Sequence, residues 1–126
     1  MTRTKVSPLL LCLSILSAAC TKELRYTKEE LLARTQAADP TATVILPRNM
    51  EEGASCMSYT SGCVSAHTVK VRQLELIAVE FMSTTEAIHA AKKYRGFYLR
   101  NWFLDDVSGE PSLERFVVEK LEAKKP

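Results

Sequence analysis

Two cysteines and a histidine are the residues of this chain whose spacing is best suited to chemistry. Cys56 and Cys63 stand seven positions apart, and His67 follows four positions later. Thiolates and an imidazole would suit Cu(I) or Zn, but the spacing matches neither a familiar zinc signature nor the Cys-x-x-Cys of thiol-redox centres. The pair therefore favours a structural disulfide, with metal-binding or thiol-redox use of Cys56, Cys63 and His67 as the alternative.

A second group of residues mixes rings with positive charge over residues 92–103. The rings can be core residues, and the cations can complement the end of a helix. The alternative is a small-ligand site. Its candidate residues are Tyr94, Arg95, Tyr98, Arg100 and Trp102.

Signatures of catalysis are missing from the sequence. There is no Gly-x-Ser-x-Gly, no His-Glu-x-x-His and no P-loop. We therefore expect a non-enzymatic protein that needs no cofactor.

The elements that would position these residues begin with a helix and a strand. Thr27 and Glu30 have the spacing of a capping box, and Asp39-Pro40 ends the helix. Residues 41–46 are β-branched and apolar, which predicts a strand, and residues 48–65 predict a loop that holds both cysteines.

Two long strands and two helices follow. Residues 67–81 alternate as a strand whose apolar phase changes near Arg72-Gln73, which indicates a bulge there or a strand covered on both faces. A helix capped by Ser83 leads to a strand over residues 97–107 that is apolar on both phases. A last amphipathic helix runs through Leu121 and frays over residues 123–126.

This order predicts a single small α+β domain over residues 27–126. Its sheet would have about three strands with helices packed on it. The favoured version is a split β-α-β unit, which is half of a ferredoxin-like fold.

The N-terminal segment has the pattern of a targeting signal, so we do not expect it to be part of the folded domain. Arg3 and Lys5 precede an uncharged, Leu-rich run that ends in Leu16-Ser17-Ala18-Ala19-Cys20. The run is about 14 residues, too short to span a bilayer as a helix. It resembles the lipobox of bacterial lipoproteins.

That resemblance implies cleavage of a signal peptide at residues 1–19 and lipidation of Cys20. Residues 20–26 would then be a lipidated cysteine and a short tether, and acyl chains such as palmitate would anchor the protein. Thr21 favours the outer membrane, facing the periplasm. An oxidising cell envelope also favours a Cys56–Cys63 disulfide.

Cleavage changes the charge of the protein. The chain has 17 Lys and Arg against 15 Asp and Glu, and both basic residues of the segment 1–19 would leave with it. The mature chain would be neutral, so we expect no nucleic-acid partner. The sequence predicts a lipid-anchored envelope protein with a protein-binding or structural role near the membrane and an envelope protein as partner.

Overall fold

A computed structural model of the chain describes residues 24–46 and 53–126. The predicted signal peptide and Cys20 lie outside the described residues, as does the start of the predicted Cys loop at residues 48–52. The elements in chain order are α1 (Lys28–Ala38), β1 (Thr43–Ile45), a 3-10 turn (Cys56–Ser58), β2 (Cys63–Val71), β3 (Leu74–Phe81), α2 (Thr84–Tyr94), β4 (Phe97–Leu99), β5 (Trp102–Asp105), α3 (Pro111–Arg115) and a π-helical turn (Phe116–Lys120).

The strands form one antiparallel sheet in the order β1-β2-β3-β5-β4. The predicted α+β class is therefore confirmed, but the prediction of about three strands is wrong, because the described residues contain five. The extra strands arise because each predicted long strand is a hairpin. Since β5 is antiparallel to both β3 and β4, the strands joined by α2 run parallel with β5 between them.

The first hairpin occupies residues 63–81, whereas the sequence predicted one strand over residues 67–81 with a bulge or two covered faces. The predicted loop over residues 48–65 therefore ends too late, because β2 already begins at Cys63. Val71 pairs with Leu74, so only Arg72 and Gln73 form the turn, and Arg72 has a φ of 59°. Because the turn has two residues, the positions that flank it, Val71 and Leu74, lie on the same face of the sheet although they are three apart in sequence. This accounts for the change of apolar phase. The bulge in β2 lies instead between Cys63 and Ser65.

The second hairpin has the same construction. Leu99 pairs with Trp102 across a turn made by Arg100 and Asn101, and Arg100 has a φ of 53°. The predicted single strand over residues 97–107 is therefore wrong. Its apolar residues on both phases belong to two short neighbouring strands.

Helices cover both faces of the sheet. The larger core lies under α1 and the C-terminal helical segment, and includes Val69, Leu76, Trp102 and Leu104. The smaller core lies under α2. Its buried residues are Val79, Phe81, Ala87, Ala90, Ala91 and Phe103.

Local signals set the helix starts. The Thr27–Glu30 capping box forms in both directions, and the Ser83 hydroxyl accepts from the backbone N–H of Glu86. Arg95, in the left-handed conformation, ends α2. Both predicted helix starts are confirmed.

The C-terminal residues do not fray as predicted. After the π-helical turn, the N–H of Lys124 donates to the carbonyl of Tyr98 at 2.9 Å, and the N–H of Tyr98 donates back at 2.9 Å. Ala123 is buried in the larger core. The segment extends the sheet alongside β4.

Candidate functional site

A disulfide joins Cys56 and Cys63, as the sequence predicted, with 5.6 Å between their Cα atoms. The bond fixes the 3-10 turn against the first residue of β2. Both thiols are consumed by it, so neither is available in this state as a nucleophile or a metal-binding thiolate.

The disulfide loop is also fastened to the sheet by Tyr59. The Tyr59 hydroxyl donates to Oδ2 of Asp105 at 2.7 Å, and its ring meets those of Tyr94 and Phe103 edge-on. Burial, and then the Asp105 carboxylate, raises the pKa of Tyr59 well above its usual range. The loop is thus held at two points, by the Cys56–Cys63 disulfide and by the contacts of the Tyr59 side chain.

Removing the disulfide measures how much this bond contributes to the stability of the domain. The Cys56→Ser/Cys63→Ser variant is expected to lose about 2.5 kcal/mol of unfolding free energy, because the unfolded chain regains the entropy of an eight-residue loop. Urea unfolding followed by Trp102 fluorescence measures this. Wild-type protein under reductant should match the double variant, and an unchanged midpoint in both would contradict the expectation.

His67 does not join the cysteines. Cys63 packs with the core under α2, whereas the His67 ring lies against Trp102 in the core under α1, with 6.2 Å between the ring centroids. Within residues 24–46 and 53–126, no group of three His, Cys, Asp or Glu residues could hold a metal ion. The structure therefore does not bring together the three residues of the alternative metal site, Cys56, Cys63 and His67.

His67 contacts the hydroxyl of Ser65, which in turn contacts the carboxylate of Glu80. The Ser65 hydroxyl donates to Oε1 of Glu80 at 2.9 Å and lies 3.0 Å from Nε2 of His67. Since the hydroxyl proton points to Glu80, His67 Nε2–H is the donor to Ser65. A histidine that acts as base for a serine needs the opposite arrangement. The network positions the ring and does not activate the serine.

The burial of the His67 ring makes stability depend on pH. Burial, and then the charge of Lys28, lowers the pKa of His67 from its usual 6.5, although Glu80 opposes the shift. The folded state therefore binds fewer protons than the unfolded chain. The stability from the neutral ring is complete above pH 6.5 and is lost as pH falls through the lowered pKa.

His67→Gln is expected to flatten the loss of stability between about pH 7.5 and about pH 5, measured by urea unfolding. The exposed His89, on α2, provides the control variant His89→Gln. A wild-type pH dependence in His67→Gln, or the same flattening in His89→Gln, would contradict this assignment.

The five residues of the predicted ligand site are divided between the faces of the sheet. Tyr94 and Tyr98 pack with the core under α2, whereas Trp102 is fully buried in the core under α1. Arg95 and Arg100 take positive φ values at the end of α2 and in the β4–β5 turn. The structure does not bring the five together around one cavity.

The backbone just before α1 is clamped by the β4–β5 turn. Asn101 is fully buried, and its Oδ1 accepts from the backbone N–H of Tyr26 at 2.7 Å. Its Nδ2 donates to the carbonyls of Tyr26 and Phe81, both at 3.3 Å. Nε1 of Trp102 donates to the Tyr26 carbonyl at 2.9 Å. Both backbone polar groups of Tyr26 are thereby fixed to the sheet.

The side chain of Tyr26 is held as well. The Arg100 guanidinium lies 4.0 Å from the ring centroid, and that of Arg34, from α1, lies 5.9 Å away. These are distances for cation–π attraction. We call Tyr26, Asn101, Trp102 and Arg100 the Tyr26 clamp.

Sequence reasoning missed the Tyr26 clamp. The capping box shows that a helix begins after Thr27, but not which residues bond to the backbone before it. Arg100-Asn101 carried a turn signal, since Asn is common in tight turns, but the strand prediction ran through it. A buried amide is invisible in a pattern that counts only apolar residues.

In comparisons with known proteins, no family model, no curated protein and no solved structure matches the chain. The class of protein must therefore be inferred from the residues of this chain. In the part of the chain that the structure describes, no helix has the length and apolar character needed to cross a membrane.

Proposed function

We propose that this chain is a bacterial envelope lipoprotein, anchored by acyl chains on Cys20, with a non-enzymatic, protein-binding or structural role near the membrane. The lipobox-like segment that ends at Cys20 supports the anchor, and the Tyr26 clamp is the observation that carries the position near the membrane. It fixes the chain to the sheet six residues after Cys20. A fully extended segment of that length reaches about 20 Å. The domain would therefore stay close to the bilayer, and Thr21 favours the outer membrane, facing the periplasm.

Two arrangements favour this role over the alternatives. A disulfide occupies the thiols that a metal or redox centre would use. The residues of the small-ligand site are split between two faces of the sheet. For the fold, we propose that β3–α2–β4, with β5 between its strands, is the split β-α-β unit expected from the sequence.

A contact surface for an envelope protein is available at the end of the domain that carries the β2–β3 turn, which we call the far end. A groove of about 240 Å³ lies there between that turn and the C-terminal helical segment. Val71, Leu74 and Phe116 give it an apolar part, and Arg72 and Glu119 supply opposite charges. Such mixed surfaces are typical of non-obligate protein contacts.

The anchor is tested by the intact mass of protein extracted from membranes. We expect the mass of residues 20–126 plus acyl chains, with no alkylation of Cys56 or Cys63 until a reductant is added. Cys20→Ala is the control, and it should carry no acyl mass. An unprocessed, unacylated wild-type chain would contradict the proposal.

The protein-binding role is tested in cells by a photo-crosslinking amino acid. At Glu119, in the far-end groove, we expect a crosslink to an envelope protein. The control position is Lys92, which is exposed on α2 across the sheet. Equal crosslinking from both positions, or none from Glu119, would count against this groove as the contact surface.

A further inference from the structure

One end of the sheet contains the start of β2, the end of β3 and the β4–β5 turn, and the N-terminal segment joins the domain there. Cys63, the first residue of β2, pairs with Phe81, the last residue of β3. The backbone N–H of Phe81 donates to the carbonyl of Asn101 in the β4–β5 turn at 2.8 Å, and Asn101 holds Tyr26. The helices α1 and α2 also begin here. We call this surface the anchor end.

Exposed apolar side chains concentrate at the anchor end. Leu24 is 66% exposed and precedes the Tyr26 clamp, and Met82, which follows Phe81, is 61% exposed. Val64 is 52% exposed beside Cys63, and Met57 is 95% exposed next to the disulfide. In the described residues, the other large exposed apolar side chains are Leu46 and Val118. A concentration of this kind marks a contact surface.

Backbone contacts keep these side chains together at the surface. The N–H of Met82 donates to the carbonyl of Gly62 at 3.0 Å, which joins the end of β3 to the start of β2. The disulfide holds Met57 beside the same two strands. Val64 and Met82 are therefore held at the paired ends of β2 and β3, Met57 is held there through the neighbouring disulfide, and Leu24 lies two residues before Tyr26.

The charges around them are mixed but include an exposed basic group. Arg25 and Lys28 are exposed on either side of Thr27, and Arg100 lies over the Tyr26 ring. Glu29 and Glu30 are exposed acids in the first turn of α1. The far end also has mixed charges, with Asp39 held by Arg72 at 2.9 Å and with Arg115, Glu119 and Lys120 along the groove, so it is the apolar side chains that distinguish the two ends. Cations beside apolar residues suit the headgroup region of a bilayer.

We propose that the anchor end rests on the bilayer, with Leu24, Val64 and Met82 in its headgroup region. This inference rests on the proposed lipid anchor at Cys20. The tether of about 20 Å enters the domain at this end, so this is the surface that the acyl chains draw to the membrane. Apolar side chains then add to a lipid anchor by leaving water. The far end, with its groove, faces away from the membrane.

The test is the depth of a tryptophan side chain in vesicles, using the acylated protein of residues 20–126. Met82→Trp places a probe at the anchor end, and Val118→Trp places a matched probe on the π-helical turn. Each protein is reconstituted in vesicles of phosphatidylcholine and phosphatidylglycerol, with plain or with brominated acyl chains. Trp102 is the only native tryptophan, and the parent protein supplies its background.

We expect Met82→Trp emission to shift to shorter wavelength on the vesicles and to lose intensity with brominated lipid, while Val118→Trp shows neither change. Equal emission of Met82→Trp in plain and brominated vesicles, on protein that floats with them, would overturn the orientation but keep the anchor. A photo-crosslink from position 82 to a protein in cells would then assign this end to a protein partner. Protein that does not float would overturn both proposals.

Discussion

Asn101→Ala is expected to lower the free energy of unfolding by about 4 kcal/mol, because three hydrogen bonds are lost at a fully buried position and the N–H of Tyr26 is left without its acceptor. A small domain has about 5–15 kcal/mol of stability in total. The variant should therefore unfold at a much lower urea concentration, with fluorescence of Trp102 as the probe.

The chain contains its own control for this substitution. Gln73 occupies the same position of the β2–β3 turn, after an arginine of positive φ, but it is exposed. Gln73→Ala should change stability by no more than about 0.5 kcal/mol. A loss below about 1 kcal/mol in Asn101→Ala would mean that water or a neighbouring group replaces the amide, and the Tyr26 clamp would not be the main fastening of the N-terminal segment.

Gly96→Ala is expected to cost about 3 kcal/mol, the upper part of the range for overpacked cores. A methyl group at Gly96 would overlap Cε1 of Phe103 and would lie 2.8 Å from the carbonyl oxygen of Leu104. Phe103 is fully buried under α2, and the carbonyl belongs to a paired strand. Neither group can move aside without disturbing the sheet.

Two variants distinguish crowding from other effects of the methyl group. Gly109 has a φ of 92° and open space around it, so Gly109→Ala should cost only about 1 kcal/mol of backbone strain. Gly96→Ala combined with Phe103→Leu should cost less than the sum of the single changes, because the smaller side chain makes room. Additive costs in urea unfolding would contradict the steric explanation.

The parts of the fold that could be predicted are those set by neighbouring residues. The Thr27 and Ser83 caps depend on side chains three positions apart, and the Cys56–Cys63 disulfide on a short loop. The α+β class follows from the alternation of helical and strand periods. Each of these signals lies within a few residues of the feature it produces.

The hairpins were missed because their turns are made by Arg72-Gln73 and Arg100-Asn101. Non-glycine residues with positive φ are uncommon, and the usual signal of such turns is Asn-Gly or Asp-Gly. The shift of apolar phase at Arg72 was visible, but a bulge and a two-residue turn produce the same shift. Only pairing across the turn, which a single sequence does not show, separates them.

The candidate sites were the least predictable features. His67 and Cys63 are four residues apart, but the bulge beside Cys63 and the alternation of β2 direct them to different faces. Asn101 and Tyr26 are 75 residues apart and meet through a turn that was not predicted. The anchor end depends on which strand ends lie together, and so on the strand order of the whole sheet.

The pairing of Lys124 with Tyr98 covers part of one sheet edge, and this matters for the proposed lipid-anchored form, in which many copies would share one membrane surface. Proteins confined to a membrane meet at high local concentration, and open strand edges then invite edge-to-edge association. Here the backbone of Tyr98 on β4 is already paired, and the opposite strand, β1, is three residues long. The C-terminal segment thus protects this edge from joining neighbouring copies, which favours a dispersed protein over clusters built through the sheet.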